Sequence, residues 1–153
     1  MKRLTDNPRK NAHITRQIAA REGELVRVAQ NLADRLKTIF QREERKPLSD
    51  KEHKERQLRN IQSVAEQSSS WLPVELFIRY QAARKEIYLE WAQEANQTLA
   101  ALRQQAQAIV GTDETALVEA VHMELVRRTL GYTVRWHVWH AKGESQMQKG
   151  GKQ

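Results

Sequence analysis

Cysteine is absent from the 153 residues of this chain. That absence excludes disulfide bonds, thiolate zinc sites and a cysteine nucleophile, and it fits a reducing compartment such as the cytoplasm. Long apolar runs are also missing, since no segment approaches the roughly 20 apolar residues that span a bilayer. No apolar stretch follows the N-terminal MKRLTDNPRKN, so we expect neither a signal peptide nor a membrane anchor.

Turn-forming residues are scarce as well, with six Gly and three Pro in the whole chain. The dominant residues are Ala, Gln, Glu, Arg and Leu, which favour helices. The composition therefore predicts an all-α protein, a bundle of about four to five helices with basic flexible termini. We expect one domain over residues 8–142, preceded by a disordered arm (1–7) and followed by a flexible tail (143–153).

Positive charge is concentrated at one end of the chain. Residues 1–46 hold twelve Lys and Arg against six Asp and Glu, whereas the remainder holds fourteen against thirteen. Such a surplus predicts a polyanionic partner, either nucleic acid or an acidic protein. A membrane surface is a weaker reading because the apolar face of the first helix has no Trp and only Phe40.

Helical periodicity divides the chain into four segments. Helix 1 starts near Pro8 or Asn11 and runs to about Arg45, with an apolar stripe of period 3.6. The stripe residues are Ile14, Ile18, Leu25, Ala29, Leu32, Leu36 and Ile39. A basic ridge, interrupted by Asp34, lies roughly opposite that stripe and comprises Arg9, Arg16, Arg27 and Arg45.

Capping signals set the remaining segments. Ser49 and Glu52 read as a capping box that starts helix 2 at Asp50, and this helix ends near Gln67. Helix 3 runs from about Pro73 to Val110, with Gly111 as its stop. It would be about 55 Å long in a domain only about 40 Å across, so it protrudes, bends or is two helices. Helix 4 begins at Thr112 or Asp113 and ends near Lys142.

Some side chains allow a structural and a functional reading. Gln81 and Arg84 interrupt the apolar stripe of helix 3, so Arg84 is either held by Glu119 or Glu124 or contacts RNA phosphate or a neighbouring subunit.

The other ambiguous features lie on helix 4. His137 and His140 suit a core better than a metal, the aromatic run suits a core better than base stacking, and Gly131 marks a close helix crossing or is merely tolerated. The aromatic run comprises Tyr132, Trp136 and Trp139.

Several segments, taken in order, resemble the small helical subunit of type III (Csm-type) CRISPR effector complexes. LADRLKTI is followed by a charged connection, and residues 56–61 (RQLRNI) are similar to the family's SQ(L/I)RK(I/F) stretch. Residues 77–84 (FIRYQAAR) resemble its LAYxxxR stretch, and residues 117–143 resemble its C-terminal helix. Arg56 and Arg79 stand where the family usually has Ser and Ala.

The resemblance implies a non-catalytic subunit that stacks along a ribonucleoprotein and holds guide and target RNA by the backbone, without sequence specificity. Its partners would be the RNA, the other subunits and further copies of itself. By position it carries over Arg59 and Arg84, and Arg56 and Arg79 lie within the same stretches. The charge pattern adds six further candidates, namely Arg9, Arg16, Arg27, Arg127, Arg128 and Arg135.

The residues suggest no catalytic constellation and no cofactor, since Gly-rich phosphate loops and clustered carboxylates are missing. We therefore do not expect an enzyme. Two alternative functions remain open: a DNA-binding accessory protein, and a helical scaffold whose basic ridge docks an acidic protein.

Overall fold

A computed structural model describes residues 4–111, 113–144 and 146–147 of the chain. The described part is all-helical, as predicted, but it contains six α-helices rather than four to five. A π-helical turn, Trp139–Gly143, directly continues the last of them. The six are α1 (Pro8–Ala20), α2 (Glu22–Glu44), α3 (Glu55–Gln67), α4 (Trp71–Ala83), α5 (Leu89–Val110) and α6 (Thr115–Val138).

The predicted helix 1 is two helices that break at Arg21. The backbone of Arg21 leaves helical geometry (φ −98°, ψ 0°), and its N–H bonds to the carbonyl of Ile18. The start at Pro8 is confirmed, with the Asn7 side chain capping the first turn. The predicted apolar stripe is buried along its whole length because it continues across the break from α1 to α2.

The segment before α3 is not helical. Helix 2 was expected from Asp50, but α3 begins at Glu55. Ser49 and Glu52 do bond to each other, through Glu52 N–H to Ser49 Oγ and Ser49 N–H to the Glu52 carbonyl. They close a turn instead of starting a helix, since residues 50–54 offer no apolar side chain to pack.

The predicted helix 3 is also two helices, α4 and α5, which pack against each other. The chain turns at Lys85, whose φ of 61° is left-handed, and the N–H of Glu86 bonds to the carbonyl of Gln81. This turn resolves the excessive length of a single helix. Gly111 ends α5 as predicted, with a φ of 96° that favours glycine.

Helix α6 forms the centre of the bundle and packs against α2, α3 and α5. It buries apolar residues on several faces, together with Thr129 and Thr133, whose hydroxyls bond to carbonyls one turn earlier. Helix α4 is peripheral, since it packs mainly against α3 and α5. One face of α4 therefore remains exposed.

The chain ends are described only in part. Residues 1–3, 145 and 148–153 lie outside the described residues, and so do those parts of the expected arm and tail. Within the described part, Leu4 packs against the core and Thr5 hydrogen-bonds to Asn11. At the other end, Glu144 accepts a hydrogen bond from Lys37 at 3.0 Å and pairs with His140. The pairing with Lys37 and His140 lowers the pKa of the Glu144 carboxyl, outweighing the effect of its burial.

Candidate nucleic-acid interface

A groove runs between α3 and α6, and its floor is Gly131. A methyl group added at Gly131 would lie 3.4 Å from Nε2 of Gln62 on α3, which is ordinary van der Waals contact. Two adjoining cavities of about 250 and 320 Å³ share the residues Gln62, Gly131 and Arg135. We call this feature the α3–α6 groove. Arg59, Arg127, Arg128 and Arg135, all among the predicted RNA-binding residues, line it.

Arg59 and Arg135 are the exposed cations of the groove. Arg59 donates from Nε to Glu55 at 2.7 Å, one turn earlier on α3, while its side chain stays 57% exposed. The Arg135 guanidinium lies 5.2 Å from the centroid of the Tyr132 ring and makes no ion pair with the described residues. Both side chains therefore have N–H groups available to an anion.

Arg127 is a structural residue as well as a groove residue. It donates from Nε to the carbonyl of Ala65 at 2.9 Å and from Nη2 to the carbonyl of Ser68 at 2.6 Å. The Ala65 carbonyl also accepts the N–H of Ser68 at 3.4 Å, and Arg127 adds side-chain donors to this C-terminal end of α3. No sequence signal distinguishes this role from a surface cation.

Arg128 links α6 to the start of α2. It donates to Glu124 at 2.9 Å and to Glu22 at 2.8 Å. Burial lowers the pKa of its guanidinium, but the bonds to the two carboxylates outweigh burial and raise it. Glu22 also accepts the hydroxyl of Tyr132, and this bond raises the pKa of that phenol. Two carboxylates, Glu66 and Glu124, line the groove beside the four arginines.

The basic ridge of the first third lies elsewhere in the molecule. Arg9, Arg16 and Arg27 are exposed on α1 and α2, and none of them makes an ion pair with the described residues. Asp34, which interrupts the ridge, accepts a hydrogen bond from Nε2 of His140 at 2.8 Å if that nitrogen carries the proton. The ridge and the α3–α6 groove are therefore separate surfaces.

Much of the charge surplus of residues 1–46 is balanced inside the chain. Five of its basic residues pair with carboxylates later in the sequence. The pairs are Lys10–Glu114, Arg35–Glu90, Arg35–Glu94, Lys37–Glu144, Arg42–Glu90 and Lys46–Glu52. The surplus therefore also supplies ion pairs within the fold.

Arg84 is not the buried structural arginine that the stripe suggested. It is exposed at the C-terminal end of α4, with its guanidinium 5.4 Å from the centroid of the Tyr80 ring. Glu119 instead accepts bonds from Arg103 at 2.5 Å and from the Trp71 N–H at 2.8 Å. The break between α4 and α5 rotates Arg84 away from the core, while Gln81 stays buried.

Arg56 and Arg79 also lie outside the groove. Arg56 is exposed in the first turn of α3 and makes no ion pair with the described residues. Arg79 on α4 is 69% exposed and lies 3.3 Å from a carboxylate oxygen of Glu75. The ten predicted arginines therefore form one cluster of four in the groove, with the other six dispersed over α1–α4.

The histidines of α6 do not converge on a metal. His137 is fully buried and accepts the Lys54 N–H at Nε2, at 2.9 Å. His140 instead contacts Asp34 of α2 and Glu144. No group of three or more His, Asp or Glu side chains with metal-binding geometry occurs among the described residues.

The aromatic run is mostly structural. Trp136 donates from Nε1 to the carbonyl of Val26 at 3.1 Å, and Tyr132 bonds to Glu22, so both join α6 to α2. Trp139 is 42% exposed. The groove floor formed by Gly131 and Gln62 is the feature that sequence reasoning missed, and the interior glycine was its only signal.

Three comparisons bear on identity. No protein-family model, curated protein or solved structure matches this chain. Within the described residues, no helix has both the length and the apolar character to cross a membrane.

Proposed function

We propose that this chain is a non-catalytic, cytoplasmic RNA-binding subunit of a ribonucleoprotein, with the type III CRISPR small subunit as the specific assignment. It would hold guide or target RNA by the phosphate backbone, beside other subunits of the complex. The observation that carries the proposal is the α3–α6 groove, where four arginines from two distant sequence segments line one surface. Arginine is the side chain best suited to phosphate because its planar fork donates two parallel hydrogen bonds.

The groove suits a backbone ligand better than a small molecule. It is open and polar, and its shared floor is a glycine, which lets a chain of phosphates approach the helices. Arg59 and Arg135 provide N–H groups at the surface. Arg127 and Arg128 hold the walls of the groove in place through their bonds to α3, Glu124 and Glu22. The resemblance of residues 56–61 and 77–84 to the CRISPR subunit supplies the choice of RNA over DNA.

The test compares single substitutions by fluorescence anisotropy with a labelled single-stranded RNA. Arg135→Ala and Arg59→Ala should each weaken binding and lower the slope of log K against log[salt] by about 0.7, the counterion release for one single-strand contact. Lys51→Ala removes one exposed charge outside the groove and is the matched control. Arg16→Ala probes the basic ridge.

The outcomes separate the alternatives. Loss of affinity in Arg16→Ala with intact binding in Arg135→Ala would move the interface to the ridge. Tighter binding to duplex DNA than to RNA would favour the DNA-binding accessory protein. If neither nucleic acid binds at about 50 mM salt, where phosphate contacts are strongest, the proposal fails and an acidic protein partner is favoured.

A further inference from the structure

Helix α4 presents an apolar stripe to solvent. Leu72, Leu76 and Tyr80 follow one another at intervals of four residues, and they are 70%, 68% and 49% exposed. The opposite face of the same helix is buried through Trp71, Val74 and Ile78. A continuous row of large apolar side chains exposed on a protein surface usually marks a site of contact with another surface. The α4 stripe is therefore a surface that lacks its cover in the single chain.

A groove beside the stripe continues this surface onto α5. It encloses about 690 Å³, and its lining includes Leu89, Ala92 and Ala100. Leu89 is 63% exposed, so it extends the apolar area. Asn96 also lines the groove, is only 6% exposed, and its Oδ1 has no hydrogen-bond partner among the described residues. A buried acceptor without a donor is unfavourable, and a donor from an occupant would offset that cost.

We infer that a second copy of this chain covers the surface, with the two α4 helices antiparallel about a two-fold axis near Leu76. The spacing of the stripe is symmetric, since Leu72 and Tyr80 are equally far from Leu76. An antiparallel arrangement thus sets Leu72 of one copy against Tyr80 of the other. The α4 stripe and the groove beside it also lie side by side on one surface. Each copy therefore offers both a projecting and a recessed part, as a self-complementary interface requires.

The charges at the edge of the stripe are complementary when the two copies are antiparallel. Glu75 and Arg79 flank Leu76 on either side along α4 and pair within the chain at 3.3 Å. Two antiparallel copies bring Glu75 of one near Arg79 of the other, so opposite charges meet across the axis.

Sedimentation velocity without RNA tests the association, and the inference does not depend on the proposed RNA binding. The wild-type chain should form a dimer with rising concentration, and Leu76→Glu should shift it to monomer. Leu76 is largely exposed in the single chain, so the variant should keep its Tm. Ala19→Glu adds the same charge at an exposed position of α1 and should leave the dimer intact. A dimer that survives Leu76→Glu, or a wild-type chain that stays monomeric, would overturn the inference.

A charge exchange tests the register. Glu75→Arg and Arg79→Glu should each weaken self-association. Mixing the two variants should give a heterodimer, because the two arginines of one variant then face the two glutamates of the other. Failure of the mixture to associate would exclude an interface in which α4 of one copy packs against α4 of the other.

The absence of cysteine allows a clean crosslink as well. Leu76→Cys should form a disulfide-linked dimer under mild oxidation. Leu72→Cys should do so only when mixed with Tyr80→Cys. Efficient crosslinking of Leu72→Cys alone would contradict the axis near Leu76.

Discussion

His137 shows how one side chain makes the bundle sensitive to pH. It is completely buried in α6, and its Nε2 accepts the N–H of Lys54 at the entry to α3. Burial, with smaller contributions from nearby His53 and His140, lowers its pKa to about 4. The imidazole is therefore neutral in the folded chain at pH values where a free histidine is protonated.

Acidification should destabilise the fold through this residue. Between pH 6.5 and about 4 the unfolded chain binds the proton and the folded chain does not, so stability falls as the pH falls. The window corresponds to roughly 3 kcal/mol at one histidine. His137→Gln, which keeps an acceptor for the Lys54 N–H but cannot titrate, should flatten the pH dependence of urea unfolding in that window.

His13→Gln is the matched control because His13 is exposed. It should leave the dependence of the unfolding free energy on pH as it is in the wild type. An unchanged slope in His137→Gln would mean that His137 is protonated inside the fold.

At the scale of the helices, Gly131 affects both the stability of α6 and the access of a ligand to the α3–α6 groove. It lies in the interior of α6, where Gly costs about 1 kcal/mol relative to Ala. Gly131→Ala should therefore raise the free energy of unfolding by up to that amount, since the new methyl meets only the flexible end of Gln62 at 3.4 Å. The same methyl occupies the floor of the α3–α6 groove, so RNA affinity should fall.

Gly23→Ala separates the two effects. Gly23 lies in the first turn of α2, and a Cβ there would have nothing within 4 Å. Chemical denaturation should show a gain in stability without any change in RNA binding. Equal RNA affinity in Gly131→Ala and Gly23→Ala would mean that the ligand does not approach Gly131.

The helices could be predicted from the sequence where buried residues recur at helical spacing, but the helix breaks could not, because they depend on a few local contacts. The stripe from Ile14 to Ile39 identified the core face correctly because burial depends only on spacing. The break at Arg21 escaped prediction, and a division of helix 3 was only one of three alternatives without a position, since neither Arg21 nor Lys85 is Gly or Pro. The α3–α6 groove escaped it too, because its arginines come from residues 59 and 127–135, which only the fold brings together.

For the molecule as a whole, basic residues of the first third form ion pairs with acidic residues of later segments. The N-terminal surplus first suggested an external polyanion, yet a network joins α2 to α5 within the chain. Arg35 contacts Glu90 at 2.7 Å and Glu94 at 2.8 Å, and Arg42 contacts Glu90 at 2.5 Å. The hydrogen bonds that Arg35 and Arg42 donate to these carboxylates raise the pKa of both guanidinium groups, and the bond from Arg42 lowers the pKa of Glu90. The acids that balance the first third of the chain thus come from later segments.

Two substitutions distinguish internal charges from external ones. Arg35→Met should lower the Tm, because it removes the cation that links α2 to the two glutamates of α5. The loss should shrink at about 0.5 M salt, where screening weakens exposed pairs. Arg16→Met is the matched variant on the exposed ridge, and it should leave the Tm unchanged at both salt concentrations. A similar fall in Tm for both variants, measured by circular dichroism, would show that the basic residues stabilise the chain without regard to their partners.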